Sequence, residues 1–583
     1  MDERGYGTVN LLIIGLLLAG MWLGGGFLWN ALTPPSAEAG LPSAEAGDAV
    51  AEVVARAAQT TPGLAGLQVA LVESSASREM AGAEVYDAEV EAWRGWMEEA
   101  GAVEAELGSA AVAVLPNLQC LGAEEITALE RHLAAGGGLV TTGLLGARDS
   151  GCVERADTVL AGLVGGRGMA PTPRVEDGVP HLVVLGETVL GANLPAGARP
   201  ELRPGNQITF RGTDRELFYG DYERKPLRAG GEPYFDGAAV RARVGAGRVV
   251  ALGFGPGDGA DEWSAGILRG IAGNAALWAA GRPVVRLASW PEGREAAAVF
   301  AQDVEHEYDN ALNAVRVLEA HGIPGTYFLV GDLAARSRST TRQLAEAGEI
   351  GSHTRDHAPV GGRGYEAQLE ALESAQAQLE RMTGSRAAGL RPPEERFDGE
   401  TFRAWLQTGG SYLFGKRDSR TAAPELFGVG ERDLVLLARA SADDFQLFHT
   451  EGLRDRQAMA ARMVGELDDV VGLRGLYMLS YHSQIFGRAE MIPVLEAVAR
   501  RAAGDPRIWT ATAGDVAEWW RARASLEVDV SPYGRWVEIV NRGSAPVTPP
   551  PLLVTTGGEH RFTVPALAPG QRHRIELHRT AAD

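Results

Sequence analysis

A chain of 583 residues exceeds what one ordinary hydrophobic core can organise, so two or three globular domains are expected. A hydrophobic share of 45% with 22% charged residues belongs to folded rather than disordered protein. Against 76 acidic side chains there are only 55 basic ones, and the resulting net charge of −21 opposes nucleic-acid backbones and anionic lipid head groups.

Near the start of the sequence, Leu11 to Leu32 form an uncharged run, long enough at about 1.5 Å per helical residue to cross a hydrocarbon core of roughly 30 Å. Residues 1–33 are therefore expected to be a transmembrane anchor, with a cleavable signal peptide as the rival because Ala37-Glu38-Ala39 is a small-x-small site. The next basic residue is Arg56, so nothing holds the following chain on the cytoplasmic side, and the protein is expected to be anchored with its bulk outside the cytoplasm of a bacterium. A Pro/Ser/Ala/Gly-rich linker then occupies 34–65.

Residues 66–283 alternate short apolar strands ("LQVALVE", "AAVAVLP", "RVVALGFG") with helical periods, the pattern of a parallel sheet covered on both faces. In layout this resembles a flavodoxin or glutamine-amidotransferase-like domain. Where amidotransferases carry a cysteine on a sharp turn, this chain reads "GGGLVTTGLLGARD", which predicts a catalytically silent unit. Its two cysteines, Cys120 and Cys152, either pair, for about 3 kcal/mol of loop-closure entropy, or stay as separate buried thiols; their spacing leaves both open.

Residues 290–523 read as seven or so strand-helix repeats, a closed or incomplete barrel in which chemistry belongs at the carboxyl ends of the strands. Those ends deliver Asp303, Glu305 and His306 from one strand, His353 and His357 from another, Arg391 from a third and His482 from a late one. Two imidazoles and one carboxylate form a common three-ligand set for catalytic zinc. A small antiparallel β unit, 525–583, closes the chain, with Trp536 as its one candidate glycan contact and Trp519 and Trp520 in the helix before it.

The motifs "GTYFLVG", "GEIGSHTRDH", "LRPPEERFD", "LSYHSQ" and "IWTATAGDVAEWWRAR" resemble those of the polysaccharide deacetylases, carbohydrate esterase family four. The resemblance implies a distorted (β/α)7-type barrel in an α/β chain, with His353 and His357 as metal ligands, Arg391 orienting the catalytic aspartate and His482 as general acid. The first motif departs: "FAQDVEHE" fits a base-x-ligand pattern with Asp303 as base and Glu305 on the metal, whereas a register one residue earlier would put Gln302 in the base position. His306 is a further possible ligand, Asp356 a possible support for a ligand imidazole, and Asp418 a candidate to hold Arg391 or His482.

The expected activity is a zinc-dependent, or otherwise divalent-metal-dependent, removal of N-acetyl groups from an exopolysaccharide or peptidoglycan. An inactive glycan-binding barrel in an envelope or secretion assembly is the alternative, and hydrolysis of a small non-sugar amide is a third reading.

Overall fold

The computed structural model describes residues 53–577 apart from 57–58, 166–168, 172–180, 206, 211–215, 222, 226–227, 230–231, 234–236, 416–418 and 430–431. The expected anchor at Leu11–Leu32 and Asp418 lie outside the described residues; among those described, no helix is long and apolar enough to cross a membrane.

The first domain is built on a six-stranded sheet in the order Ala239–Val244, Gly247–Leu252, Gly138–Thr142, Val112–Leu115, Gln68–Leu71, Val103–Glu104. All neighbours are parallel except the first pair, a hairpin. Numbered along the chain, the parallel strands run 2-1-3-4-5, the flavodoxin-type doubly wound order. Successive side chains of a strand face opposite ways, and both faces here are apolar because both are covered. Val69, Val112, Val114, Val140 and Val250 meet Trp93 and Trp96 of the helix Ala83–Glu99. Ala70, Ala113, Leu115, Leu139 and Val249 meet Leu129 and Leu133 of the helix Ala123–Ala134.

The turn in "GGGLVTTGLLGARD" is made by Gly143, at φ +65°, where an added Cβ would lie 2.4 Å from Asn117 Oδ1. Cys120 and Cys152 are joined in a disulfide with their Cα atoms 5.1 Å apart. The bridge spans 32 residues, so Cys152→Ser is expected to lower the stability of this domain by about 3 kcal/mol. Denaturant unfolding of the oxidised wild type against the variant measures it.

The second domain carries a ten-stranded sheet. Its main path runs Val53–Arg56, Glu425–Val429, Arg432–Leu437, Tyr412–Phe414, Gly389–Leu390, Gly348–Ser352, Gly325–Leu329, Ala296–Val304, Leu476–His482, and Ile508–Ala511 also pairs with Ala296–Val304. From Arg432–Leu437 onward every pairing is parallel. The path does not return on itself, so the expected barrel is open as a hydrogen-bonded structure. Its inner face is filled by Ala297, Val299, Ala301, Phe328, Phe414 and Met478, and the helix Ala513–Ala524 packs into the same cluster through Val516 and Ala517. Trp520 belongs there too, 5.6 Å from Trp290.

The small C-terminal unit is larger than its own sequence suggests. One sheet, in the order Gln59–Thr61, Leu526–Val530, Trp536–Asn541, Arg572–Glu576, takes its first strand from the segment expected as linker. The other, Val284–Leu287, Leu552–Thr555, Glu559–Phe562, takes a strand from between the two larger domains. Both sheets contribute to one core, with Val285 and Leu287 against Val528, Ile539 and Val554. Residues 53–61 are thus in part structural strands, a correction to the reading of 34–65 as linker. Trp536 is covered by the Arg574 guanidinium at 4.1 Å.

Candidate active site and metal centre

The strand Ala296–Val304 decides the register. Ala297, Val299 and Ala301 face the inner cluster, whereas Ala296, Ala298 and Phe300 face the outer helices. Asp303 continues the inner row. Gln302 continues the outer one, opposite Tyr327 and Tyr481 on the flanking strands, so the register that puts Gln302 in the base position is not the one adopted. Glu305, two residues on, returns to the Asp303 side just past the strand end.

His353 follows the strand Gly348–Ser352 and is buried. Its Nδ1 donates to the Arg391 carbonyl at 2.6 Å, which fixes the ring orientation and sets Nε2 3.0 Å from Glu305 Oε1. His357 Nε2 approaches the same carboxylate oxygen at 2.8 Å. His357 and Thr354 both hold positive φ, +64° and +62°, which places the two imidazoles with ring centroids 4.8 Å apart. The second Glu305 oxygen accepts from Gln484 Nε2 at 2.7 Å. Burial raises the Glu305 carboxyl, but hydrogen bonds from His353 and His357 and the charge of His482 outweigh it and hold it well below the usual carboxylate range.

Asp303 is 1% exposed. Its Oδ2 accepts from Arg391 Nε at 3.2 Å and lies 3.7 Å from His482 Nε2, while its Oδ1 is buried without a hydrogen-bond partner. Arg391 is itself buried and stacks over the Phe414 ring at 4.5 Å. His482 sits beside Asp303 in register on the neighbouring strand. Its Nδ1 donates to Asp444 Oδ1 at 2.6 Å and its backbone N–H to Asp444 Oδ2 at 2.8 Å. Burial works against the imidazolium, but Asp444, then Asp303 and Glu305, override it and push the His482 pKa up to about 10.

The structure therefore brings together Asp303, Glu305, His353, His357, Arg391 and His482. Glu305, His353 and His357 offer donor atoms within 4.8 Å of one another, as do Asp303, Glu305 and His482. His306 is exposed and contributes its carbonyl to Ser483 Oγ, not its ring to the cluster. Asp356 caps a local turn by accepting from the Ala358 N–H at 3.1 Å and supports no imidazole. The partner of His482 is Asp444, which sequence reasoning missed; it stands in "SADDFQLF", directly before an exposed Phe445 and the π-turn Gln446–Thr450.

The donor set fits a divalent cation of the zinc type. Two imidazole Nε2 atoms and a carboxylate converge, one imidazole is held from behind by a backbone carbonyl, and the Asp303 carboxylate, with Oδ1 lacking a hydrogen-bond partner, is grouped with Glu305 and His482.

Removing the Asp444 charge lowers the His482 pKa. If protonated His482 is needed, activity falls as pH rises through that pKa, so Asp444→Asn is expected to move the alkaline limb of the rate profile to lower pH. The cost at neutral pH should be about tenfold to a hundredfold, part of the roughly 10²–10⁴ a general acid supplies. The pH dependence of kcat measures both.

A family model described as polysaccharide deacetylase matches residues 285–413. A search of the curated proteins found no match. Among solved structures the chain is similar to a Mycobacterium smegmatis protein assigned to the polysaccharide deacetylases, at 23% identity over 41% of this chain and 94% of that one, with a TM-score of 0.38. It is similar to an allantoinase at 18% identity over 40% of this chain and 93% of that one, TM-score 0.37. A Pseudomonas aeruginosa PAO1 protein assigned to the polysaccharide deacetylases gives 18% identity over 40% and 94%, TM-score 0.37. The stretch 285–413, which supplies Asp303, Glu305, His353, His357 and Arg391, is a polysaccharide deacetylase domain.

Proposed function

We propose that the protein is a metal-dependent deacetylase that hydrolyses N-acetyl groups of a polysaccharide, exopolysaccharide or peptidoglycan, outside the cytoplasm. The observation that carries this reading is the Glu305, His353 and His357 donor set together with the buried Asp303 carboxylate, whose Oδ1 has no hydrogen-bond partner and whose Oδ2 lies 3.7 Å from His482 Nε2. A purely structural cluster would satisfy Oδ1, because an unpaired buried carboxylate oxygen costs about 1–3 kcal/mol or more.

A zinc-type cation held by Glu305, His353 and His357 would supply Lewis-acid polarisation of a water and of the acetyl carbonyl. Asp303 takes the proton of the attacking water at Oδ1, held in aim by Arg391 at its other oxygen. His482, kept charged by Asp444, gives its Nε2 proton to the departing amine nitrogen, which would otherwise be a very poor leaving group. The products are acetate and a free amino sugar.

The location outside the cytoplasm is supported by the uncharged N-terminal run and by the Cys120–Cys152 disulfide, a bond that persists in oxidising compartments. Acetate release from N-acetylglucosamine oligomers by the zinc-loaded protein tests the catalytic reading. Zinc binding with glycan retention and no acetate would replace it with a glycan-holding role, and activity confined to small amides would replace it with an amidohydrolase.

A further inference from the structure

The strand Leu476–His482 ends in a turn that holds more than the His482 imidazole. The His482 carbonyl accepts from the Ile485 and Gly487 N–H groups, each at 3.1 Å, and the Phe486 N–H reaches Asp444 Oδ2 at 3.2 Å. Ile485 and Phe486 are buried in the cluster of the outer helices, and Gly487 has no room for a side chain, because an added Cβ would run into the Ser483 carbonyl. This fixed turn sends two side chains across to Glu305. Ser483 Oγ, fully buried, accepts from the Glu305 N–H at 3.1 Å and donates to the His306 carbonyl at 2.8 Å, which pins the Glu305 backbone. Gln484 Nε2 donates to Glu305 Oε2 at 2.7 Å, with Gln484 Oε1 turned back to within 3.2 Å of Ser483 Oγ. An ionised carboxylate only accepts, so the amide group that faces it is the nitrogen, and a hydrogen bond to a charged acceptor is among the stronger ones.

We propose that Gln484 is a positioning residue of the metal centre, occupying Glu305 Oε2 and so holding Oε1 toward the two imidazoles for the cation. The inference rests on the metal-dependent reading given above. Glu305 Oε1 lies 3.0 Å from His353 Nε2 and 2.8 Å from His357 Nε2. The terminal torsion of a glutamate is broad, so its own rotamer does not keep that oxygen there. Once the three donors share a cation, no proton lies between Glu305 and either imidazole. A restraint that survives metal uptake is the bond from Gln484, on the opposite oxygen. Outer hydrogen bonds that orient a ligand are worth about 10–100-fold in metal affinity.

The experiment measures zinc affinity of the full chain, stripped of metal and titrated against a chromophoric chelator. Gln484→Met keeps the size of the side chain and removes the donor. It should weaken zinc binding about 10–100-fold while the metal-free protein unfolds at the wild-type temperature. Wild-type affinity in this variant overturns the proposal. So does a loss of affinity matched by a loss of metal-free stability, which is what a merely structural role predicts. If the methionine variant does not fold, Gln484→Asn, which keeps the amide but is one methylene shorter, should show the same weakening, and wild-type affinity there overturns the proposal. Wild type that takes up no zinc removes the metal-dependent reading and this role together, whereas zinc-binding wild type matched by its Gln484 variants removes this role alone. Wild type that binds zinc but releases no acetate from N-acetylglucosamine oligomers, with weakened Gln484 variants, removes the hydrolytic reading and leaves this role standing.

Discussion

Asp303→Asn is expected to reduce acetate release by about 10²–10⁴-fold while bound zinc and the fold stay as in wild type. The amide keeps the size of the side chain and can still meet Arg391 through its oxygen, but it has no basic oxygen left for the water proton. Because Asp303 is 1% exposed, larger replacements would confound chemistry with packing, and the isosteric change avoids this. The measurement is acetate release alongside metal content and thermal unfolding. Loss of zinc in parallel with activity would mean that Asp303 is a ligand, as its grouping with Glu305 and His482 allows, and would transfer the base role elsewhere.

His353→Ala is expected to be the most damaging of the ligand changes. Its imidazole is buried and clamped between the Arg391 carbonyl and Glu305, so the variant loses a ligand and takes from the Arg391 carbonyl the imidazole it bonds. Metal affinity should fall by at least about 100-fold, since even loss of an outer hydrogen bond to a ligand costs 10–100-fold. Chelation of wild type should abolish activity and added zinc should restore it, whereas zinc at the same concentration should not restore His353→Ala. His357, 41% exposed at its side chain, should show the milder version of the same loss. Equal metal binding in wild type and both variants would place the cation elsewhere.

What could be read in advance follows from spacing. Asp303 and Glu305 stand at i and i+2 at the end of an all-buried strand, where alternation puts both on one side, and His353 and His357 leave one strand end together. Asp444 carries no such mark. It lies 38 residues from His482, in a loop with no periodicity to place it, and only the meeting of two distant segments brings the pair within 2.6 Å. The strand-helix alternation announced both large sheets, but the strands at Val53–Arg56 and Gln59–Thr61 are four and three residues long, too short for any pattern to separate them from a linker.

Those two short strands, with Val284–Leu287, restrict how the molecule can be dissected. A fragment that begins at Val284 would strip Leu526–Val530 of its partner Gln59–Thr61 if the tail were kept, and would leave Val284–Leu287 unpaired if it were not. Raw strand edges of this kind recruit other chains. Expression clones that begin near residue 285 should therefore accumulate as insoluble material, and the catalytic portion is best produced with both of its flanking neighbours attached.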